Sequence, residues 1–221
     1  HATDAAGNTT ISTPFELTVD TVPPATPDIP AITVNPDGTE TPLNPGETTR
    51  DTTPTLSGTG NPGDTVTIYN GGVKLDDVLV DGTGNWTWTP ATPLPNGTYD
   101  ITLTVTNMDG TGNESAPSQP VTITIDTDAP TAPAAPVITD SVSQITGPVP
   151  DGGTTNDPRP VLSGTGTAND VINITDTVNG IPTIVGTVTV DSNGNWSWRP
   201  DSNIGEGSHV YTATATDEAG N

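Results

Sequence analysis

The sequence predicts an all-β protein built from successive copies of one small sandwich domain. Its 221 residues include 45 Thr, a β-branched residue that favours strands, together with 24 Gly and 24 Pro, which mark turns. Four segments also recur along the chain, at offsets of 106, 110, 106 and 213 residues. A period of this length is too long for a solenoid unit and fits a small domain.

The repeated segments contain the motifs on which this organisation depends. They are residues 51–60 (DTTPTLSGTG) and 157–166, 84–90 (GNWTWTP) and 194–200, 20–24 (DTVPP) and 126–130, and 3–8 (TDAAGN) and 216–221. Composition alone would indicate disorder, because Leu, Ile, Val and Phe supply only 42 residues while the net charge is -23. A disordered acidic tail does not keep one register over whole domains, so the repeats favour a folded chain.

Composition also excludes several classes of function. With 4 Lys and Arg against 27 Asp and Glu, the chain lacks the basic patch that nucleic-acid binding needs. No apolar run approaches the roughly 18 residues of a membrane span, and no signal-peptide pattern is visible. The absence of Cys excludes disulfides and thiolate sites. We expect no enzyme, since neither His1 nor His209 has a nucleophile partner; His209 aligns with Tyr99 as a packing position.

Alternation of apolar and polar residues predicts seven strands in the first full repeat, lettered A to G. Strand F is the strongest, because residues 99–106 place four apolar side chains on one face. The set is A (29–34), B (54–60), C (65–69), D (75–80), E (86–88), F (99–106) and G (121–125). Seven short antiparallel strands predict an immunoglobulin-like, Greek-key β-sandwich without a disulfide.

The chain begins and ends at the same point of this repeat, so we expect a window from a longer tandem array. Residues 1–20 are predicted to be the C-terminal strand of a preceding repeat, with Phe15, Leu17 and Val19 pointing inward. Residues 21–126 are predicted to form a complete repeat, and residues 127–221 a repeat that lacks its last strand. The open edge invites pairing in trans, including strand exchange between fragments in crystals.

The combination of PxLSGTG, GNWxW, DxAGN and VDTxxP resembles the bacterial Ig-like (BIg) repeats of giant, type I-secreted, non-fimbrial adhesins of the SiiE kind and of biofilm-associated surface proteins. The resemblance covers essentially the whole chain. It implies a rod of many Ig-like domains, secreted or at the bacterial cell surface, with neighbouring repeats as partners and Ca²⁺ at the interdomain joints. It also implies attachment to host cells, through a glycan bound by the wider adhesin, or a role in biofilms.

The acidic residues suit such joints, because 21 are Asp and only 6 are Glu, and Asp is common in turns and as an oxygen ligand of cations. The pattern Asp-x-x-Gly-Asn occurs five times, and the sandwich places its copies in the D–E and F–G loops, at the pole nearest the preceding domain. The five copies begin at Asp4, Asp81, Asp109, Asp191 and Asp217.

We therefore expect several Ca²⁺ per fragment, held at the domain junctions. The candidate ligands are Asp20, Asp64, Asp81 and Asp109 at the first junction, and Asp126, Asp128, Asp170, Asp191 and Asp217 at the second. The first junction has one linker ligand fewer, because Val22 stands where Asp128 stands. Two residues inserted before Asp109 can also aim its loop differently.

Other interpretations of the acidic residues stay open. Asp-x-x-Gly-Asn is also ordinary hairpin chemistry, in which Asp caps the turn and Gly or Asn accepts a positive φ. In the long A–B loop, Asp51 could complete the second junction from below, and Asp157 is its counterpart in the next repeat. A solvated loop is the alternative there.

The sequence favours a structural role over a binding one. Trp86 and Trp88, like Trp196 and Trp198, are predicted to fill the core, because a spacing of two puts both rings on one face of strand E. An exposed sugar-binding platform is the alternative. We predict a segment of an extracellular adhesin that calcium stiffens. A carbohydrate- or receptor-binding module and an accessory domain of a secreted polysaccharide-active enzyme are the other candidates.

Overall fold

The computed structural model describes residues 2–108, 111–144 and 146–221, and every regular element in these ranges is a β-strand. None of these residues belongs to a helix long and apolar enough to cross a membrane. The strands are β1 (Ala2–Thr3), β2 (Thr9–Thr10), β3 (Ala31–Val34), β4 (Thr41–Pro42), β5 (Thr48–Thr49), β6 (Thr55–Thr59), β7 (Thr65–Asn70), β8 (Val73–Leu79), β9 (Asn85–Trp88), β10 (Gly97–Thr106), β11 (Val121–Ile125), β12 (Val137–Asp140), β13 (Gly147–Val149), β14 (Val161–Thr165), β15 (Val171–Val178), β16 (Ile181–Thr189), β17 (Asn195–Trp198) and β18 (Val210–Thr216).

The first repeat contains two sheets, which confirms the predicted sandwich class. Their strand orders are β4-β3-β6-β9 and β5-β11-β10-β7-β8. Strands A to G correspond to β3, β6, β7, β8, β9, β10 and β11, and no predicted end differs from the observed one by more than two residues. The prediction missed β4 and β5 in the A–B loop, because strands of two residues are too short to show alternation.

The second repeat has the same two layers with two strands fewer among the described residues. Its sheets have the orders β13-β12-β14-β17 and β16-β15-β18. In the first repeat, β10 lies between β7 and β11. Its counterpart β18 pairs with β15 and has no second neighbour among the described strands.

By its contacts the chain divides into two compact units, and the division crosses the first repeat. One unit consists of His1–Ile29, Gly58–Trp86 and Thr102–Gln119. The other consists of Pro30–Ser57, Thr87–Ile101 and Pro120–Asn221. Each linker contact described below lies within one unit.

The core follows the predicted alternation. In β11, for example, Val121, Ile123 and Ile125 are buried, while the threonines between them are partly exposed. In the second repeat, Leu162 and Trp196 belong to the buried cluster. Thr-rich strands therefore build a core with few large side chains, because only every second residue has to be apolar.

The tryptophans are core residues, as predicted. Trp86, Trp88 and Trp196 are buried, and Trp198 packs against the second core. This packing explains a glycine in the LSGTG motif. A Cβ on Gly58 would lie 2.7 Å from Cζ2 of Trp86, and a Cβ on its counterpart Gly164 would lie 2.6 Å from Cζ2 of Trp196. Only glycine leaves room for the indole.

The N-terminal segment differs from the strand that was predicted for residues 1–20. β1 and β2 pair with each other around the Asp4 loop, and residues 11–20 form no strand. Phe15, Leu17 and Val19, which were expected to point inward, are 89%, 74% and 75% exposed. The physical reason is that a G strand becomes ordered by pairing with an F strand, and this segment pairs with none within the described chain.

Candidate functional site

The Asp-x-x-Gly-Asn loops share one local geometry in the copies that the structure describes in full. The leading Asp uses Oδ1 to accept the backbone N–H of the closing Asn, at 2.9 Å from Asp4, 3.0 Å from Asp81, 2.9 Å from Asp191 and 2.9 Å from Asp217. The glycine before that Asn has positive φ, for example 84° at Gly84 and 86° at Gly220. The motif is therefore a self-contained turn, as the hairpin interpretation predicts.

Hydrogen bonds to these carboxylates favour the charged form. The Asn8 side chain holds the pKa of Asp4 below its usual value, and the Asn85 backbone N–H does the same for Asp81. At Asp217, burial opposes ionisation, but the hydrogen bonds from Asn221, Ala219 and Gly220 together outweigh it and the pKa is lowered. These three carboxylates are thus held in their charged form.

The closing Asn has a second role in the F–G loops, where it binds the linker that precedes the same repeat. Asn113 Nδ2 donates to the main-chain carbonyl of Asp20 at 3.1 Å. Asn221 Nδ2 donates to the carbonyl of Asp126 at 3.0 Å, and also to Asp217 Oδ2 at 3.0 Å. The same contact therefore recurs in two successive repeats. The linker and the F–G loop, which the sequence predicted to lie together, are joined here by a hydrogen bond from the Asn side chain to a main-chain carbonyl.

The linker aspartates are turn residues as well. Asp20 Oδ1 accepts the N–H of Val22, and Asp126 Oδ1 accepts the N–H of Asp128, both at 2.9 Å. The side chain of Asp128 itself is exposed. Asn96 Oδ1 accepts the N–H of Thr127 at 3.1 Å and its hydroxyl at 2.9 Å, which fixes the start of the second linker.

Arg50 makes a further contact at the second junction. One guanidinium nitrogen of Arg50 donates to the carbonyl of Gly220, in the F–G loop of the second repeat. The other pairs with the carboxylate of Asp37, in the A–B loop of the first repeat. Arg50 is one of only 4 basic residues in the chain, so its position between acidic loops offsets part of their repulsion.

Asp64 and Asp170 occupy equivalent positions before the C strands, and both are 5% exposed. Asp64 accepts the N–H of Met108 at 3.2 Å and an Asn61 side-chain N–H at 3.1 Å, so each oxygen has a donor. Asp170 has a buried Oδ2 without a hydrogen-bond partner. An unpaired buried carboxylate oxygen is costly, which makes Asp170 the exception among the predicted ligands.

Asp51 and Asp157 close the A–B loops. Asp51 accepts the N–H groups of Asn35 and Thr53, at 2.7 and 2.8 Å. Asp157 accepts the corresponding N–H groups of Ser141 and Arg159, at 2.9 and 2.8 Å. Each carboxylate therefore joins the end of strand A to the start of strand B. The interpretation of Asp51 as a ligand that completes the second junction gains no support from these contacts.

The predicted ligands do not converge into a preformed metal centre. Within residues 2–108, 111–144 and 146–221, no three carboxylate or imidazole groups form a cluster able to hold an ion. Asp109 lies outside the described residues. The donor chemistry still suits calcium, which prefers carboxylate and carbonyl oxygens. Among the predicted ligands that the structure describes, Asp170 is the one with a buried side-chain oxygen, Oδ2, that lacks a hydrogen-bond partner.

The residues that sequence reasoning missed are Asn113, Asn221 and Arg50. The two asparagines are the last residue of Asp-x-x-Gly-Asn, where they were considered only as turn formers. The signal that could have identified them as linker-binding residues is that both the asparagines and the linkers recur in the two repeats. No signal pointed to Arg50, because its contact with Gly220 joins residues that are 170 positions apart in the sequence.

Comparisons with known proteins place the chain in a family. No curated protein matches it. Among the matching solved structures is one described as "Crystal structure of tetra-tandem repeat in extending region of large adhesion protein", at 24% identity over 77% of this chain and 43% of that one. Its TM-score of 0.29 is too low to carry over a domain arrangement. A family model described as "Bacterial Ig-like domain" matches residues 26–127 and again 131–221. The chain therefore belongs to the bacterial Ig-like domain family and contains two successive copies of the domain.

Proposed function

We propose that this chain is a structural segment of a bacterial adhesin, outside the cell or on its surface, and that its repeats act as spacers rather than as catalysts. The observation that carries the proposal is the linker contact made twice, by Asn113 to Asp20 and by Asn221 to Asp126. A contact that recurs at each linker gives each joint the same restraint. Repeated restraints are what an extended array of domains needs.

The hydrogen bonds that restrain each linker are local and are made by groups of the chain itself. The F–G loop of the second repeat has its own carboxylate-capped turn, built on Asp217. In both F–G loops the closing Asn donates its side-chain amide to the linker. The loop geometry is fixed before the linker binds, so little conformational entropy is lost in the contact. The second joint adds Arg50, which binds Gly220 and Asp37 together.

We further propose that Ca²⁺ binds at the second joint, with Asp170, Asp217 and the Asp126–Asp128 linker as the oxygen donors. Two observations support this. The Oδ2 atom of Asp170 is buried without a partner. Strand pairing of Val171 with Thr216 also brings Asp170 and Asp217 to the same end of neighbouring strands. A bound cation would supply the missing partner and offset part of the net charge of -23.

Calorimetric unfolding with calcium at about 1 mM, and again with a chelator, tests the calcium proposal. We expect calcium to stabilise the second repeat by about 1.4 kcal/mol when it is about tenfold above its Kd. Asp170→Asn should abolish this gain. Asp64→Asn in the first repeat is the matched control, because both Asp64 oxygens already have donors, and it should leave the gain intact.

The calcium site and the spacer role can be tested separately. No calcium effect on unfolding contradicts the calcium site and leaves the spacer role standing. The spacer role has its own test, in which Asn113→Ala and Asn221→Ala are compared with the intact chain by nuclear magnetic resonance. Each substitution should increase motion at its own linker only. Unchanged linkers in both variants would contradict the spacer proposal.

The competing role, a carbohydrate- or receptor-binding module, has less support. The four tryptophans belong to the two cores, so they present no stacking platform. Tyr99 is buried and its hydroxyl donates to the carbonyl of Pro95 at 2.8 Å. Attachment to host cells or biofilm, and export by a type I system, remain properties proposed for the wider adhesin.

A further inference from the structure

The hairpin of β15 and β16 in the second repeat is longer than its counterpart, β7 and β8, in the first. Both hairpins have a register shift at the same place, after Ile68 in β7 and after Ile174 in β15. Beyond the shift, β7 and β8 form two cross-strand pairs, whereas β15 and β16 form four. The sheet of β16, β15 and β18 is therefore extended by two rows of residues.

This sheet has an outer face without charge. Ile172, Ile174 and Asp176 of β15 are buried, so the residues that alternate with them lie on the outer face. These outer residues are Val171, Asn173, Thr175 and Thr177. With the residues paired to them on β16 and β18 they make a set of twelve, which we call the neutral face, and none of the twelve is charged.

The corresponding face of the first repeat is charged. The residues aligned with Ile184, Thr187 and Val210 of the neutral face are Lys74, Asp77 and Asp100. Lys74 Nζ donates to Asp77 Oδ2 at 2.5 Å, and Asp77 Oδ1 accepts the Thr67 hydroxyl at 2.8 Å. In the second repeat, Thr187 instead donates its hydroxyl to Asn173 Oδ1 at 3.0 Å, and Ile184 is 65% exposed. The two repeats thus differ by three charges at equivalent positions.

The loss of these charges matters most for a partner that is itself negatively charged, because like charges repel at close range. A second copy of this chain is such a partner, since it carries the same net charge of -23. On the neutral face two copies approach without that repulsion. The face is also complementary to itself, because threonine hydroxyls and the Asn173 amide both donate and accept hydrogen bonds.

We propose that the neutral face binds the same face of a second copy of this chain, around a two-fold axis. Because both copies use one surface, the contact closes as a dimer and does not continue into a filament. The spacing of strands and residues gives the face about 400 Å² per copy. This is about half of a standard interface, so the dimer is weak and transient. The contact depends neither on the spacer role nor on calcium.

Sedimentation equilibrium of the intact chain at increasing concentration tests the dimer, with a chelator present to keep calcium from contributing. The mean mass should rise toward two chains and not beyond. Added NaCl should strengthen the dimer several-fold, because salt screens the repulsion between the remaining acidic surfaces. A monomer mass up to about 1 mM chain would overturn the proposal. Growth beyond two chains, or weakening by salt, would also overturn it.

Charge variants test where the two copies meet. Thr187→Asp restores the charge of Asp77 at an exposed strand position and should weaken the dimer at least about tenfold. Val210→Asp, which restores the charge of Asp100, is a second variant with the same expectation. Ser197→Asp is the matched control, because it adds the same charge at an exposed position of β17, in the other sheet of the repeat. Its effect should stay below about threefold. Equal weakening by Ser197→Asp and by the two test variants would overturn the proposed face.

Discussion

The two repeats have the same architecture but differ at strand F. In the first repeat β10 is covered on both edges, and its inward residues are buried. In the second, β18 is covered on one edge only, and its inward residues remain partly exposed. The comparison teaches that burial of a strand face in a sandwich depends on its neighbours as well as on its sequence.

The corner that precedes strand F differs too. Tyr99 donates its hydroxyl to Pro95, four residues upstream, as in a tyrosine corner. His209 replaces this contact, with Nε2 3.0 Å from the carbonyl of Gly205 and Nδ1 2.7 Å from Oδ2 of Asp176. The hydrogen bond with Asp176 raises the pKa of His209. Burial, together with the Asp176 charge, raises the pKa of Tyr211 to about 12. The first repeat therefore keeps a neutral corner, and the second has an ionisable one.

The largest expected effect comes from removing a core indole. Trp86→Ala and Trp196→Ala should each cost about 4 kcal/mol of unfolding free energy in their own repeat, because both rings are buried. Denaturant unfolding, followed by fluorescence of the remaining tryptophans, separates the repeats. A Trp196→Ala variant as stable as the intact chain would refute the core role of that residue.

The next effect tests the glycine beneath each indole. Gly58→Ala and Gly164→Ala should each destabilise their repeat by about 2 kcal/mol, since the new Cβ would lie 2.7 and 2.6 Å from the ring. Gly82→Ala and Gly205→Ala are matched controls, because a Cβ there meets nothing within 4 Å. Thermal unfolding measures all four. Equal effects in targets and controls would show that the indole does not lie on the glycine.

A smaller effect should distinguish the two corners by pH. Because the folded pKa of His209 is raised above 6.5, its stabilisation is complete below that pH and is lost as pH rises through the folded value. The second repeat should then lose about 1 kcal/mol relative to the first. The double variant Asp176→Asn and His209→Tyr reproduces the aligned residues Asn70 and Tyr99 and should remove this dependence. A parallel pH profile for both repeats of the intact chain would contradict the prediction.

The smallest effect concerns Arg50. Arg50→Ala should change unfolding of either repeat by less than about 1 kcal/mol, because partly exposed ion pairs contribute little. Its effect should instead appear as faster amide exchange near Gly220. Arg50→Lys should restore only part of the protection, since one ammonium group does not reproduce a two-pronged guanidinium contact. Unchanged amide exchange near Gly220 in both variants would show that Arg50 does not stabilise the second junction.

Much of the fold could be predicted from the sequence, and less of the candidate site. The seven strands follow from alternation, because pleated strands expose every second residue to one face. The aspartate loops were found, and their turn geometry was one of two interpretations. Asn113 and Asn221 were missed as linker ligands, because the direction of a side chain that reaches another element is not encoded in a local motif.

By itself the sequence determined the repeat, the sandwich class and the inward position of the tryptophans, since all three follow from periodicity. Tertiary structure decided which buried aspartate finds partners. Asp64 and Asp170 share position and burial, yet Met108 and Asn61 serve the first, and one oxygen of the second has no donor. It also decided that Leu17 and its neighbours remain exposed. Both outcomes depend on which distant groups are available to pair, and a local pattern carries no information about that.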